Sequence, residues 1–410
     1  MERIWNHINQ KERKAGIRKV KEEDFRQLFL SQIPLFEKEI IELNNFMAEN
    51  PECGSQEFES SAAIVTLLRK YGIETEYPFA GFDTAFKGVI NPEKKNRMAL
   101  LAEYDALRGI GHACGHCASG SASVLAALAL NQVREKLDFG VDIIGTPDEE
   151  INGDKCYMAK EGVFDGYDFA VMVHMGGFNT ANVNFIALDG LGFKWNGAPA
   201  HAAAAPEKGR NALNAARIFM EATDMMRQHI IQEARIHGYI KNGGDASNVV
   251  PELTEIEFLT RAPRREDLND ITAWVEECAQ AAAMATRTEV EMFKVGAPFH
   301  ELHISSRGRK LMEDCFDILK LSYEKDKSAM TGSSDIGNVD YCCPAFHPIM
   351  GIGKNLDAHT KEFADEMTCG GTHTAIINSA AYMMTMAAKL YTDKELLNAI
   401  KEEHKAYRGY

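Results

Sequence analysis

The chain lacks several features that would assign it to other protein classes. No apolar run reaches the roughly 18 residues of a membrane-spanning helix, so we expect no transmembrane segment. The residues from Met1 onward have no apolar stretch typical of a signal peptide. Basic residues are in deficit, since the 410-residue chain has a formal charge of −15. This charge argues against nucleic acid and against an anionic membrane surface as partners.

The cysteine content also argues against a protein held together by disulfide bonds. There are nine cysteines, an odd number, and Cys342 and Cys343 are adjacent, which does not suit a disulfide framework. We therefore expect a reducing, cytoplasmic setting. Neither an internal repeat nor a low-complexity stretch is visible. The composition, 45% hydrophobic and 26% charged, is ordinary for a globular protein, and the length allows two domains.

The most informative segment is a glycine-punctuated loop, Gly111–Cys117, with the sequence GHACGHC. It follows a predicted buried strand that ends in the acids Glu103 and Asp105. Cys114 and His116 are two residues apart, so on extended backbone their side chains can point the same way. A thiol and an imidazole placed together suit a metal site.

Two further predicted strands end in potential metal ligands. One runs through Ile143 and Ile144 to the acids Glu149 and Glu150, and the other ends at His174. Ligand sites in α/β sheets lie at the carboxyl ends of strands. The three strand ends together predict a hydrolytic metal site at the rim of an α/β sheet.

Each of these residues also has a simpler interpretation. Glu149 and Glu150 can be a solvated helix start, because acids favour helix N-termini. Otherwise one binds metal while the other accepts a proton from an activated water. His174 can be a structural histidine, and His112 is more simply structural. Asp105 can orient a ligand imidazole or be only a turn acid.

A cysteine nucleophile paired with His116 is a further alternative for Cys114. A thiolate so close to metal-binding groups is better interpreted as a ligand.

The predicted elements divide the chain into three parts. Residues 1–30 predict a solvated helical lead-in. Residues 31–186 and 296–410 predict a mainly parallel sheet flanked by helices, because apolar strands and helices alternate there. Residues 187–295 predict an inserted α+β domain in the order β-α-β-β-α-β, which is the ferredoxin-like pattern. Its first helix is predicted over residues 211–234.

Ordered motifs from about residue 35 to 395 resemble the co-catalytic zinc aminoacylase and carboxypeptidase family. The amidohydrolase branch, with indole-acetyl amino-acid hydrolases and p-aminobenzoyl-glutamate hydrolase, is the most similar. The motifs that carry the resemblance include EYDAL (103–107), GHACGH (111–116), PDEE (147–150), MVH (172–174), AHA (200–202), NVVP (248–251), GSSDIGNV (332–339) and HTKEF (359–363).

The resemblance implies a role for each site residue. Cys114 would bridge two divalent ions, His116 and His174 would complete one, and Glu150 and His359 the other. Glu149 would be the general base and then the general acid.

The same resemblance assigns roles to the inserted domain. His201, Asn248 and Arg261 would polarise the scissile carbonyl and hold the substrate carboxylate. This domain would also act as a lid and form a homodimer, in which His201 is lent by the partner subunit. Thiolate and imidazole ligands favour zinc, and the carboxylates also suit manganese.

Three positions depart from the family pattern beside the metal loop: Arg108, Cys117 and Ile151. They leave the five expected ligands in place. The sequence thus predicts a metal-dependent amidohydrolase that cleaves N-acyl or aroyl amino acids. A dipeptidase or carboxypeptidase is the alternative, and a catalytically silent binding or scaffold protein is the alternative from another class.

Overall fold

The computed structural model describes residues 22–326 and 332–408. Within these stretches the chain forms twelve strands and twelve α-helices. The strands are β1 (Glu74–Glu76), β2 (Phe86–Ile90), β3 (Arg97–Ala102), β4 (Gly140–Gly145), β5 (Phe169–Val171), β6 (His174–Gly176), β7 (Ala187–Asn196), β8 (Arg235–Asn242), β9 (Leu253–Ala262), β10 (Glu289–Lys294), β11 (Ala345–Phe346) and β12 (Ile349–Gly351). The helices are α1 (Glu22–Leu30), α2 (Glu37–Glu49), α3 (Phe58–Lys70), α4 (His116–Gln132), α5 (Asp154–Lys160), α6 (Ala212–Met226), α7 (Arg265–Thr286), α8 (Ser306–Leu319), α9 (Ile336–Asp340), α10 (Lys361–Asp365), α11 (Gly370–Thr392) and α12 (Lys394–Arg408).

The larger sheet has six strands in the order β1-β2-β4-β3-β5-β11. Strands β4, β3, β5 and β11 are mutually parallel, while β2 is antiparallel to both of its neighbours. The prediction of a mainly parallel sheet is therefore confirmed. The parallel strands bring their carboxyl ends, and the loops that follow them, to one edge.

Helices cover both faces of this sheet. Alternate residues of β3 point to opposite sides, and Leu100 joins a core cluster with α4 while Leu101 joins a second cluster with Met158 of α5. Helix α4 is buried over nearly its whole length, as its small and apolar residues predict. Burial on both faces accounts for the largely apolar sequences of β3 (RMALLA) and β4 (GVDIIG).

The N-terminal segment is only partly described. Residues 1–21 of the predicted lead-in lie outside the described residues. Residues 22–30 form α1, as a helical lead-in predicts, but Phe29 is fully buried in the main core. This part of the lead-in is therefore not solvated on that face.

A second sheet has its own hydrophobic core. Its four strands are all antiparallel, in the order β10-β7-β9-β8. Helices α6 and α7 belong to the same hydrophobic cluster as this sheet, around Trp195, Phe219 and Phe258. Along the chain the elements run β7-α6-β8-β9-α7-β10.

The predicted length of α6 is wrong. The helix stops at Met226, eight residues before the predicted end, and a 3-10 turn follows over Arg227–His229. Arg227 donates from Nη1 to the carbonyl of Ile236 on β8, 2.7 Å away. A contact with the next strand therefore accompanies the end of the helix. The helical periodicity of the sequence does not predict such a contact.

Two general expectations can be compared with the structure. All nine cysteines are free thiols. In the two described stretches, no helix combines the length and the apolar character needed to cross a bilayer.

Candidate metal centre

The loop between β3 and α4 brings the first residues of the site together. Gly115 takes a left-handed conformation with φ of 82°, and α4 starts directly after it at His116. A Cβ at Gly115 would lie 2.8 Å from Cβ of Met175, closer than real contacts allow. Only glycine fits there, which lets Cys114 and His116 approach the strand that carries His174.

His174 does not end the preceding strand, contrary to prediction. Strand β5 stops at Val171, and His174 opens β6, which pairs in parallel with β12. The N–H of His174 donates to the carbonyl of Pro348, 3.0 Å away. A pairing partner more than 170 residues later therefore places this histidine at the sheet edge.

His359 reaches the site from a loop before α10. It has φ of 64°, uncommon for a residue with a side chain, and its N–H donates to the carbonyl of Ala113 at 2.8 Å. That hydrogen bond attaches the His359 loop directly to the loop that carries Cys114. The side chain then lies with Nε2 3.5 Å from Oε1 of Glu150.

The potential ligand atoms form three overlapping groups. In each group all ligand atoms lie within 4.8 Å of one another. Cys114, His116 and His174 make the first group, and Cys114, Glu150 and His359 make the second. A third group consists of His116, Glu149 and Glu150. The sulfur of Cys114 is shared by the first two groups, which is the arrangement needed for two neighbouring ions.

The hydrogen bonds around the two buried histidines suit a metal. Nδ1 of His116 lies 2.7 Å from Oδ1 of Asp105, and Nδ1 of His174 lies 2.7 Å from the carbonyl of Met175. With Nδ1 engaged in this way, Nε2 of each ring keeps its lone pair for a metal. Nε2 of His116 is buried and has no hydrogen-bond partner in the described part of the chain. An orphaned lone pair among sulfur, imidazole and carboxylate donors fits a divalent cation.

The two neighbouring glutamates have opposite pKa shifts. Burial and the nearby carboxylates of Asp335, Glu103 and Glu150 raise the pKa of Glu149 well above its usual value. Burial also acts on Glu150, but the hydrogen bond from His359 and the charge of His116 outweigh it and lower its pKa to about 2. Adjacent groups with separated pKa values are typical of a proton carrier next to a permanently ionised ligand.

A buried ion-pair network lies beside these groups and was missed from the sequence. Nζ of Lys155, on α5, is 2.6 Å from Oε1 of Glu103 and 2.7 Å from Oδ1 of Asp335. Burial opposes the charge on Lys155, but Asp335 and Glu103 outweigh it and raise its pKa well above the usual value. Lys155 and Asp335 are 180 residues apart, so no spacing pattern indicates that they meet.

Two predicted site residues near the second sheet, His201 and Asn248, do not belong to the metal-ligand groups of the described residues. His201 and Asn248 are both exposed and neighbour each other, since the N–H of Ala202 donates to the carbonyl of Asn248 at 2.9 Å. The N–H groups of Ala203 and Ala204 point to Nδ1 of His201, 3.3 and 3.2 Å away, which leaves its Nε2 to carry the proton. These contacts are local and do not connect the pair to the metal-ligand groups.

Arg261, in contrast, contacts the segment before α9, which belongs to the part of the chain around the larger sheet. It lies on β9, and its Nη1 donates to Oγ of Ser333 at 3.1 Å. Ser333 is two residues before Asp335, which binds Lys155. Arg261 is thus connected to the edge of the site through this short segment.

The three departures from the family pattern occupy different environments. Cys117 is fully buried in α4, and burial raises its pKa to about 12, so it remains a neutral thiol. Arg108 is exposed. Ile151, directly after Glu150, has 55% of its surface exposed. None of the three belongs to a metal-ligand group of the described residues.

The fold and the paired ligand groups suit a metal-dependent enzyme, and the comparisons with known proteins identify its class as hydrolases of amide bonds. The chain belongs to peptidase family M20/M25/M40, whose model matches residues 92–382. It is 30% identical to the Xaa-Arg dipeptidase of Mus musculus over 346 residues, or 80% of this chain and 79% of the relative. It is 26% identical to one of the subunits of p-aminobenzoyl-glutamate hydrolase from Escherichia coli, over 87% of this chain and 90% of the relative.

A solved structure supports the same architecture. A dinuclear metal-binding M20 peptidase from Bacillus subtilis superimposes with a TM-score of 0.62. The match covers 84% of this chain and 98% of that chain at 19% sequence identity. At this identity the comparison supports the fold.

Proposed function

We propose that the protein hydrolyses N-acyl or aroyl amino acids, using two divalent ions and Glu149 as the proton carrier. The observation that carries the proposal is the pair of three-residue groups that share Cys114, with Glu149 beside them. The E. coli relative is named for a p-aminobenzoyl-glutamate substrate, an aroyl amino acid. Its 90% coverage supports carrying this substrate class over to the present chain.

Each ion has its own ligand set in this proposal. Cys114, His116 and His174 hold one ion, while Cys114, Glu150 and His359 hold the other. A divalent ion bound there acts as a Lewis acid and makes water a better nucleophile near neutral pH. Sulfur and imidazole donors favour zinc, and the carboxylate of Glu150 also suits manganese.

Glu149 performs the proton transfers. Its carboxylate accepts a proton from the attacking water and then delivers one to the amide nitrogen that leaves as a free amine. The products are the acyl carboxylate and the amino acid, so the reaction consumes one water. Burial and the neighbouring carboxylates raise the pKa of Glu149, and a raised pKa makes its carboxylate a stronger proton acceptor.

The second sheet supplies the remaining contacts in the proposal. His201, through its Nε2–H, and Asn248 donate hydrogen bonds to the developing oxyanion. Arg261 holds the substrate carboxylate, which a guanidinium can grip with two parallel hydrogen bonds. Residues 187–295 act as an inserted lid domain, and residues 31–186 with 296–410 form the catalytic domain.

We also propose a homodimer, and the exposed position of His201 supports it. Strand β8 is an edge strand whose residues are mostly exposed, including Tyr239 and Ile240. Unpaired edges are templates for strand addition. We propose that this edge and the adjoining face of the second sheet form the dimer, and that His201 completes the site of the partner subunit. The free cysteines support a cytoplasmic location.

A dipeptidase is the second candidate function. The mouse relative is a dipeptidase by name and shares 30% identity over 80% of this chain. Both activities use the same site and differ in whether the acyl group carries an α-amine. A catalytically silent binding or scaffold protein is the third candidate, and it predicts no turnover of any compound.

One experiment separates the three candidates. The purified protein is assayed for bound metal and for amino-acid release from acetyl, aroyl and indole-acetyl amino acids and from dipeptides that end in Arg. Release from the acylated compounds supports the proposal, whereas release from dipeptides alone favours the second function. Bound metal without turnover of any compound favours the silent protein. Glu149→Gln is the control for contaminating hydrolases, because it must abolish the release.

A further inference from the structure

Lys155 is a fully buried lysine next to the candidate metal centre. Lysine is almost never fully buried unless it is paired, and here the ammonium contacts two carboxylates, of Glu103 and Asp335. The main-chain N–H of Lys155 also donates to Oδ2 of Asp335 at 3.1 Å. One side chain thus joins α5, the end of β3 and the segment before α9.

Glu103 is the member of this network that is closest to the ligand groups. Its Oε1 is engaged by Lys155, while its Oε2 lies 3.4 Å from Nε2 of His116. That nitrogen is the one left free for a metal by the Asp105 hydrogen bond. A carboxylate beside it is a potential extra ligand, since carboxylate oxygen binds zinc and manganese readily.

Stability alone gives a weak reason for such a network. A buried ion pair is often no more stabilising than well-packed apolar side chains of similar volume. The position of the network, with Oε2 of Glu103 3.4 Å from the ligand nitrogen of His116, calls for a different explanation. The ammonium also offsets part of the negative charge of the carboxylates collected here.

We propose that Lys155 is a positioning residue that withholds Glu103 from the metal ions by holding its carboxylate in an ion pair. Glu103 then stays next to His116 without occupying a coordination position that water or substrate needs. The proposal rests on the two-ion site of the proposed function and adds a carboxylate that must be kept out of it. An open position is what distinguishes a catalytic metal site from a closed structural one.

The test compares Lys155→Met with the double variant Lys155→Met/Glu103→Gln. Lys160→Met, on the exposed end of the same helix, is the matched control. Each protein is measured for melting temperature, metal affinity by chelator competition, the visible absorption of its Co²⁺ form, and kcat and KM.

For Lys155→Met we expect the freed Glu103 to enter the site. The Co²⁺ spectrum should change and metal affinity should stay equal or rise, while kcat falls roughly 10–100-fold. The double variant should regain the wild-type spectrum and most of kcat. If Lys155 has only a structural role, Lys155→Met should bind metal more weakly and Glu103→Gln should not rescue it. That result would overturn the proposal.

Glu103→Gln alone decides the question if the lysine variants do not fold. A withheld carboxylate can be neutralised without changing metal affinity or the Co²⁺ spectrum of the folded protein. A changed spectrum would show that Glu103 is already a ligand and would overturn the proposal. If the wild-type protein neither binds metal nor hydrolyses any compound, the proposed function itself is refuted. This outcome differs from the two results that would overturn only the role of Lys155.

Discussion

Asp105 lies against His116, with Oδ1 of the carboxylate 2.7 Å from Nδ1 of the ring. The other oxygen of Asp105 accepts a hydrogen bond from the main-chain N–H of Glu150 at 3.0 Å. The carboxylate of Asp105 therefore orients one candidate ligand of each proposed metal ion, His116 for the first ion and Glu150 for the second. This double contact makes Asp105 the most direct test of how the site is held in shape.

We expect Asp105→Ala to weaken metal binding about 10–100-fold, because partners that orient metal ligands have effects of this size. Affinity for Zn²⁺ by chelator competition is the measurement. Asp138→Ala, an exposed aspartate before β4, is the control and should bind as the wild type does. Unchanged affinity in Asp105→Ala would show that the hydrogen bond to His116 is dispensable.

Glu149→Gln should keep the metals and lose turnover. The amide has nearly the same shape but cannot accept the proton, and a positioned general base contributes roughly 10²–10⁴-fold. We expect kcat to fall by at least that factor with unchanged metal content. Glu161→Gln, on the exposed turn after α5, controls for the loss of one surface charge. Turnover close to wild type would assign the proton transfer to another residue.

Cys114→Ser should reduce the occupancy of both ions, because its sulfur belongs to two ligand groups. Metal per chain, measured by elemental analysis after dialysis, should fall from about two toward zero. Cys117→Ala is the matched control, since this buried thiol is three residues away and outside the ligand groups. Loss of only one ion in Cys114→Ser would argue against a bridging sulfur.

Mixed dimers test whether His201 acts across a subunit interface. Inactive Glu149→Gln subunits are combined with inactive His201→Ala subunits and allowed to exchange. In a mixed dimer one site would carry both defects and the other neither, so activity should return to about half that of a wild-type dimer.

Exchange must be shown separately in this experiment, for example by mass spectrometry of labelled subunits. If exchanged dimers stay inactive, His201 works in its own chain or has no role in turnover.

Arg408 should be a major contributor to stability at the end of α12. Its guanidinium pairs with Glu301, 2.9 Å away, and with Asp340, and it lies 3.7 Å over the ring of Tyr341. Arg408→Met removes the guanidinium from two buried carboxylates, and breaking a buried ion pair in this way typically costs about 3–5 kcal/mol. Urea unfolding measures this loss of unfolding free energy.

Lys405→Met is the control on the same helix. Lys405 is about half exposed and pairs with Glu402 one turn away, at 3.8 Å. Exposed pairs of this kind contribute roughly 0–1 kcal/mol. Equal effects of the two substitutions would contradict the importance assigned to the Arg408 network.

Much of the architecture could be predicted because its signals are local. Alternating apolar strands and helices predict the parallel sheet, and the small apolar residues of α4 predict a buried helix. The acids and imidazoles at strand ends indicate a shared edge, since parallel strands end together. For the site, the resemblance in ordered motifs added what single residues could not, namely the grouping of Cys114 with His359.

The features that the sequence alone determined about this protein are those that depend on neighbours along the chain: strand and helix periods, the glycine-punctuated loop and the acidic strand ends. The tertiary structure decided the rest. The end of α6 depends on a contact with β8, His174 is placed by β12, and Lys155 meets Asp335 across 180 residues. Such contacts form between segments that fold against each other, so their energies are set by burial and charge in the assembled core and leave no periodic trace in the sequence.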